Sequence, residues 1–281
     1  MSDYDFNALC LGAGVQSTAM LLMAEEGLLG TKPDVAIFAD TQWEPKEVYD
    51  HLESLKEAVS IPIIKVTEGN LRQDVLDHVG SDKKSNKGVP PLFVKQADAE
   101  RAANNMAADE GGMLWRQCTA EYKIKPLQKE LRRLLGYKPR QRIKKKARIW
   151  LGISIDEAHR QKDSRVSWID HYYPLINQMI SRDDCINWFK KAEIQVPRKS
   201  ACLGCPYHSN SVWHDMRKNH PAEWDDVVEF DHHLRKGKLP GVHGDVYVHK
   251  AMLPIDSALD QVYDPDQLDL FGEECEGLCG V

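Results

Sequence analysis

Ala8-Leu-Cys-Leu-Gly-Ala-Gly-Val-Gln-Ser-Thr-Ala19 is the stretch whose reading decides the fold class of this chain. A short apolar run, Ala8 to Leu11, meets the turn Gly12-Ala13-Gly14. The polar step Gln16-Ser17-Thr18 follows, and an apolar-periodic segment opens at Ala19. That order is strand, tight turn, helix. A residue without Cβ takes positive φ cheaply and lets an anion approach the backbone. Ser17 and Thr18 stand where the helix begins, and a helix N-terminus offers unpaired N–H groups and partial positive charge. The stretch reads either as a seat for phosphate or sulfate or as an ordinary strand-to-helix turn with a Ser/Thr cap. It is not a Walker loop, because no Gly-Lys-Ser/Thr closes it, and it lacks the third glycine of the dinucleotide fingerprint.

Outward from that stretch, Met20 to Gly30 is helical in period and closed by glycine. Val35-Ala-Ile-Phe38 is a second strand, ending at Ala39-Asp40-Thr41. Strand, helix, strand at this spacing is a βαβ unit and implies a parallel sheet. Ligands of such sheets bind beyond the carboxyl ends of the strands, where Gly12–Ser17 and Asp40–Trp43 both fall. A helix is expected over 47–59 and a strand over 61–66. Residues 80–112 read as an excursion over the site, helical from 97 to 109. Further expected elements are a helix over 122–135 after Cys118, a strand over 148–153 and a helix over 182–192. The expected architecture is α/β, a doubly wound, mostly parallel sheet. Residues 1–200 would form the nucleotide-binding domain and 201–281 a smaller C-terminal region with an acidic, cysteine-containing tail.

With 42% hydrophobic and 28% charged residues, the 281-residue chain has the composition of a soluble globular protein. A net charge of −6 argues against a uniformly basic, nucleic-acid-coating surface. One local basic run exists, comprising Arg132, Arg133, Lys138, Arg140, Arg142, Lys144, Lys145, Lys146 and Arg148. It reads as a solvated loop or as a phosphate contact. No apolar stretch approaches the roughly 20 residues of a membrane span, and the N-terminus lacks a signal-peptide pattern, so a cytoplasmic protein is expected. Seven cysteines in such a compartment suggest metal or redox chemistry rather than disulfides.

Several segments, taken in order, resemble the PAPS reductase branch of the PP-loop, or adenine nucleotide alpha hydrolase-like, superfamily. Leu11-Gly-Ala-Gly-Val-Gln-Ser-Thr18 stands where that family has its SGG-type loop. Asp40-Thr41 is similar to its Asp-Thr-Gly segment, and Gln117 to Pro126 to its Cys-x(4)-Lys-x(2)-Pro element. Trp150 to Arg160, followed by Ser164-Arg165, resembles its Gly-x-Arg-x(2)-Glu-Ser segment and following arginines. Tyr173–Ile176, Arg182–Asp184 and Ser200–Pro206 continue the match. The resemblance spans residues 6 to 206 and implies adenine-nucleotide binding through Gly12, Ala13, Gly14, Gln16, Ser17, Thr18, Asp40, Thr41, Gly152, Arg160 and Arg165. Ile37 and Phe38 would edge an adenine slot, with Asp40 near ribose or a metal-bound phosphate and acting in catalysis. Leu11 and Ala13 depart from the family loop. Ser154 stands where sulfonucleotide reductases place an arginine, and the nearby Asp156 and Glu157 suit Mg²⁺ and a nucleoside triphosphate.

Cys202-Leu-Gly-Cys205 is a C-x-x-C whose Gly204 supplies the turn that aims both thiolates at one ion. The resemblance implies that Cys118 comes close to it. Three such thiolates suit an iron–sulfur cluster of the [4Fe-4S] kind, with zinc or a redox dithiol as alternatives. A fourth ligand would be Cys275 or Cys279 of the tail, or be absent. The tail also resembles the Glu-Cys-Gly-x-His element of sulfonucleotide reductases, which would make Cys275 or Cys279 a nucleophile. Cys10 and Cys185 read as packing residues. The histidines between 208 and 249 read as surface residues, Trp213 and Trp224 as a small core, and Arg235 and Lys250 as candidates for phosphate contact.

The leading functional expectation is an ATP-dependent adenylating sulfur transferase with a sulfur donor. Its acceptor would be a small molecule or, as in the related DNA phosphorothioation and tRNA thiolation enzymes, DNA or tRNA. The alternatives are an APS/PAPS reductase and a redox-sensing nucleotide-binding module.

Overall fold

A computed structural model of the chain describes residues 4–82, 88–95 and 111–261. The expected helix over 97–109 and the tail cysteines Cys275 and Cys279 lie outside the described residues. The strands, in chain order, are β1 (Phe6–Leu11), β2 (Val35–Asp40), β3 (Ile63–Thr67), β4 (Phe93–Lys95), β5 (Gly112–Met113), β6 (Ala147–Trp150), β7 (Ile169–Tyr172) and β8 (Asp245–Tyr247). Two compact units divide them. One comprises residues 4–68 and 122–201, and the other the described parts of 69–121 together with 202–261.

The first unit is built on a five-stranded sheet in the order β3-β2-β1-β6-β7, and every neighbouring pair is parallel. The α/β class read from the sequence is the class observed. β3 begins at Ile63 rather than Ile61, because Pro62 has no N–H for the ladder; its carbonyl still accepts from Ala36 N at 2.9 Å. Period-2 alternation sends Leu9, Leu11, Ala36, Phe38 and Trp150 to one face. There they pack with α1 (Val15–Glu25), α2 (Lys46–Ala58) and the helix Arg182–Lys191, which contributes Cys185 and Phe189. Ala8, Cys10, Val35, Ile37 and Ile149 point to the other face, against Leu127 and Leu131 of the helix Lys125–Leu134. Strands covered on both faces are apolar throughout, which is why β1 and β2 read as unbroken hydrophobic runs.

From β1 the chain runs outward to β2 and β3, then resumes on the other side of β1 with β6. The strand order therefore reverses between β1 and β6, and the crevice beyond their carboxyl ends is the expected ligand position.

The second unit holds the antiparallel sheet β5-β4-β8 and the helices Asn210–Asn219 and Pro221–His233. Trp213, Met216, Trp224, Val227 and Phe230 are buried, as the sequence suggested for the two tryptophans. Asp231 is fully buried and organises its neighbourhood. It accepts from Arg235 Nη2 at 2.8 Å, Val248 N at 2.9 Å and Ile255 N at 3.1 Å. Arg235 is thereby a structural partner, its guanidinium also lying 4.7 Å from the Tyr247 ring centroid. Among the described residues, no helix is long and apolar enough to cross a membrane.

Candidate functional site

The loop after β1 takes a left-handed residue, but at Ala13 (φ 59°) rather than at a glycine. Gly14 is extended (φ −93°, ψ −174°) and caps α1, so the expectation that the glycines supply positive φ is corrected. The conformation falls on the smallest residue that still has a Cβ, at a cost of roughly 1–2 kcal/mol. Ser17 closes the loop from inside: its Oγ accepts from Gly12 N at 3.2 Å and donates to Gly14 O at 3.4 Å. Thr18 Oγ1 and His51 Nε2 lie 3.2 Å apart, and burial lowers the His51 pKa, so that imidazole is neutral at pH 7. These two hydroxyls shape the seat. What the turn offers an anion is the main-chain N–H of Val15, Gln16 and Ser17, which have no carbonyl one turn back within the helix.

The opposite wall comes from the segment after β6. A Cβ on Gly152 would stand 3.0 Å from both the N and the Cα of Ser17, so only glycine permits this approach. Two residues on, Ser154 is fully buried, and its Oγ has no hydrogen-bond partner among the described residues. Buried hydroxyls are seldom left so, and a polar group of a bound ligand would satisfy it.

Gln16, buried in the same loop, ties these pieces together. Its Nε2 donates to Glu157 Oε2 at 3.1 Å, and its Oε1 accepts from Arg182 Nη1 at 2.9 Å. The other oxygen of Glu157 pairs with Arg160, and Asp156 Oδ1 accepts from Arg182 N at 3.0 Å. The acidic residues read from sequence as Mg²⁺ ligands thus brace the loop, and Arg160 serves the brace. Arg165 is exposed.

At the end of β2, Asp40 is 3% exposed. Its Oδ1 accepts from Tyr49 OH at 2.8 Å and Gln42 N at 2.7 Å, and Lys65 Nζ lies 3.4 Å from Oδ2. Burial, and then the hydrogen bond to Asp40, push the Tyr49 phenol pKa well up. Thr41 Oγ1 donates to Glu44 Oε1 at 3.2 Å, and Lys123 Nζ lies 3.8 Å from that same oxygen. Glu44 and Lys123 line a small cavity with Cys10, Leu11, Gly12, Phe38, Ala39 and Ser200. Phe38 therefore does edge a cavity at the strand ends, whereas Ile37 is packed in the core. Burial raises the Cys10 thiol to about 12, against the opposing charge of Lys123, so it stays protonated at neutral pH. A second cavity, of about 390 Å³, extends from Ala13 along α2 to Arg198 and includes His51; this is within the size range of small-ligand sites.

Sequence reasoning singled out none of Glu44, Lys123, His51 or Arg182 as site residues. Lys123 had a signal, being the lysine of the Cys-x(4)-Lys-x(2)-Pro element.

In the second unit, Cys202 to Cys205 form a reverse turn closed by Cys205 N donating to Cys202 O at 3.0 Å. A second turn follows, with His208 N donating to Cys205 O at 3.1 Å. His208 Nε2 donates to Cys202 O at 3.0 Å, and its ring meets Trp213 edge to face. His249 is buried, and His208 is built into this turn, so the reading of the histidines as surface residues fails at these two. Cys202 is buried and Cys118 and Cys205 are half-buried. Among the described residues, no three His, Cys, Asp or Glu side chains are grouped as a metal site. Cys185 is packed in the core, as expected.

No protein-family model matches the chain, and no curated protein matches it. Among solved structures it is similar to the phosphoadenylyl-sulfate (PAPS) reductase from Candida auris, crystallised as a phosphate complex. Identity is 16% over 69% of this chain and 76% of that one, with a TM-score of 0.40. It is also similar to the U34-tRNA thiolase NcsA from Methanococcus maripaludis with its [4Fe-4S] cluster. Here identity is 13% over 82% of this chain and 72% of that one, with a TM-score of 0.39.

Proposed function

We propose that the chain is an adenine-nucleotide-dependent sulfur-transfer enzyme that activates an acceptor oxygen with ATP. The observation that carries this reading is the meeting of Gly152 with Ser17 at the strand-order reversal. Two backbone segments close there around a helix N-terminus, beside the unpartnered hydroxyl of Ser154. In the proposed reaction an acceptor oxygen attacks the α-phosphorus and pyrophosphate leaves. Sulfide (HS⁻) released by the donor then attacks the activated carbon, the C–O bond breaks, and AMP departs with the former acceptor oxygen. The loop N–H groups and Arg182 would hold the phosphates, Ser154 Oγ would donate to a phosphoryl or ribose oxygen, and Lys65 and Lys123 would offset developing negative charge. Asp40, held by Tyr49 and Lys65, would orient the nucleotide.

Cys202 and Cys205, aimed by one turn, would be two thiolate ligands of an iron–sulfur cluster or zinc, with Cys118 as a third and Cys275 as the candidate fourth. A bound cluster would supply a thiophilic iron. The described residues do not gather three such donors.

ATP–pyrophosphate exchange in the presence of candidate acceptors tests the reading. Exchange that requires Gly152 and Ser154 supports it. Formation of an S-sulfocysteine from labelled PAPS, without exchange, would replace it by sulfonucleotide reduction.

A further inference from the structure

Residues 129–148 carry ten Lys or Arg and one Glu, a formal +9, which leaves −15 on the rest of this net −6 chain. The structure shows how that charge is presented. Arg132 Nη1 donates to Gln141 O at 2.6 Å and to Lys138 O at 3.3 Å, and Lys144 N donates to Tyr137 OH at 3.2 Å. The segment after the helix Lys125–Leu134 is thereby folded back onto it as a shaped loop. Arg133 is neutralised by a two-pronged pair with Glu130 (2.9 and 2.6 Å). Lys129, Lys138, Arg140, Arg142, Lys144 and Lys145 are exposed, and none has an ion-pair partner among the described residues.

Between this loop and the end of β3 lies a cavity of about 370 Å³, lined by the apolar Val66, Pro126, Tyr137 and Pro139 together with Thr67, Lys129, Arg132 and the mutually paired Glu130 and Arg133. We propose that this groove and the six unpaired cations form a docking surface for single-stranded nucleic acid. One base would lie on the Tyr137–Pro139 floor and the flanking phosphates would run over Lys138 to Lys145. The combination decides the ligand class. A row of unpaired cations fits a polyanion, and an aromatic and proline-lined slot beside it fits the exposed face of an unpaired base. A base in a duplex could not enter. An anionic membrane would instead call for large apolar side chains projecting among the cations, and none of the exposed large hydrophobics, Leu28, Met113, Trp115, Met179 and Ile194, lies in this segment. β3 is two strands from β1, roughly 10 Å across the sheet, so a strand docked here would lie near the carboxyl-end crevice. The docking claim itself stands whether or not that crevice binds ATP.

The test is fluorescence anisotropy of the full chain with labelled 12-mers of oligo(U) and oligo(dT), at 50 to 300 mM salt. Saturable binding of either, with a log–log salt slope of about 3 to 4 in magnitude, is expected for five or six phosphate contacts. The triple charge swap R142E/K144E/K145E lies wholly on exposed side chains; it should weaken binding at least tenfold with an unchanged melting temperature. Tyr137→Ala should weaken it about tenfold, and Tyr137→Phe, which keeps the ring and loses only the bond from Lys144 N, should weaken it distinctly less. Absence of binding at 50 mM salt, equal affinity of the charge-swap variant, or tighter binding of a duplex of the same length would each overturn the proposal. So would binding to phosphatidylserine vesicles without binding to the oligomers.

Discussion

Gly152 and Ser17 meet with no room for a methyl group: a Cβ at residue 152 would lie 3.0 Å from the backbone N and Cα of Ser17. Because Ser17 N and Cα are main-chain atoms, the clash cannot be relieved by turning a rotamer. Gly152→Ala is expected to push the two segments apart and to cost about 1–3 kcal/mol of stability, as overpacking does. Adenine-nucleotide affinity should fall at least tenfold. Calorimetric titration alongside thermal melting checks both, and unaltered affinity would remove the close approach from the account of the site.

The Gln16 amide, held between Arg182 and Glu157, sets the loop against the segment after β6. Arg182→Ala removes a charged donor at 2.9 Å, an interaction of roughly 1.5–3 kcal/mol. Nucleotide binding is expected to weaken by about ten- to a hundredfold, more for ATP than for adenosine if the arginine also meets phosphate. Comparing the two ligands by titration separates those roles.

Glu44 and Lys123 form a nearly buried ion pair, their side chains 1% and 13% exposed. Removing one member strands part of the other's charge, so Lys123→Met is expected to cost about 2–4 kcal/mol, whereas Lys123→Met with Glu44→Gln should cost less than the single change. Urea unfolding of the three variants measures the coupling. A double variant less stable than Lys123→Met would show that the pair is not acting as a pair.

In the second unit, His249 accepts from Ala251 N at 3.1 Å through Nδ1 and donates from Nε2 to Asn210 Oδ1 at 2.9 Å. That geometry fits the neutral ring, and burial, with Lys250 adding to it, lowers its pKa from 6.5 to about 4. The unfolded chain therefore binds the proton more readily between those values. Stability from this group is complete above pH 6.5 and is lost as pH falls toward 4, by an amount on the order of 1–3 kcal/mol. Denaturant midpoints across that window should decline less steeply in His249→Gln.

The βαβ core was legible because strands buried on both faces leave unbroken apolar runs, and because Gly12 to Thr18 punctuates the passage from strand to helix. The cavity at the strand ends was less so. Glu44 and Lys123 are 79 positions apart in the numbering, and only the fold brings them to 3.8 Å. Ser154 reads in the sequence as a departure from a family pattern; the structure adds a buried hydroxyl without a partner among the described residues, which no sequence displays. The contacts among Gln16, Glu157, Arg160 and Arg182 were hidden for a similar reason: residue type suggested ligand contacts, and only the fold shows that these side chains also brace one another.

The central claim is that adenine nucleotide sits where β1 and β6 open onto α1. Titration calorimetry of the full chain with ATP, with and without Mg²⁺, and with PAPS is the most direct test, run in parallel on Gly152→Ala and Ser154→Ala. The account predicts one-to-one binding of ATP that Gly152→Ala weakens at least tenfold and Ser154→Ala weakens without lowering the melting temperature. Failure of the wild-type chain to bind any adenine nucleotide at millimolar concentration, or binding indifferent to both substitutions, would contradict it.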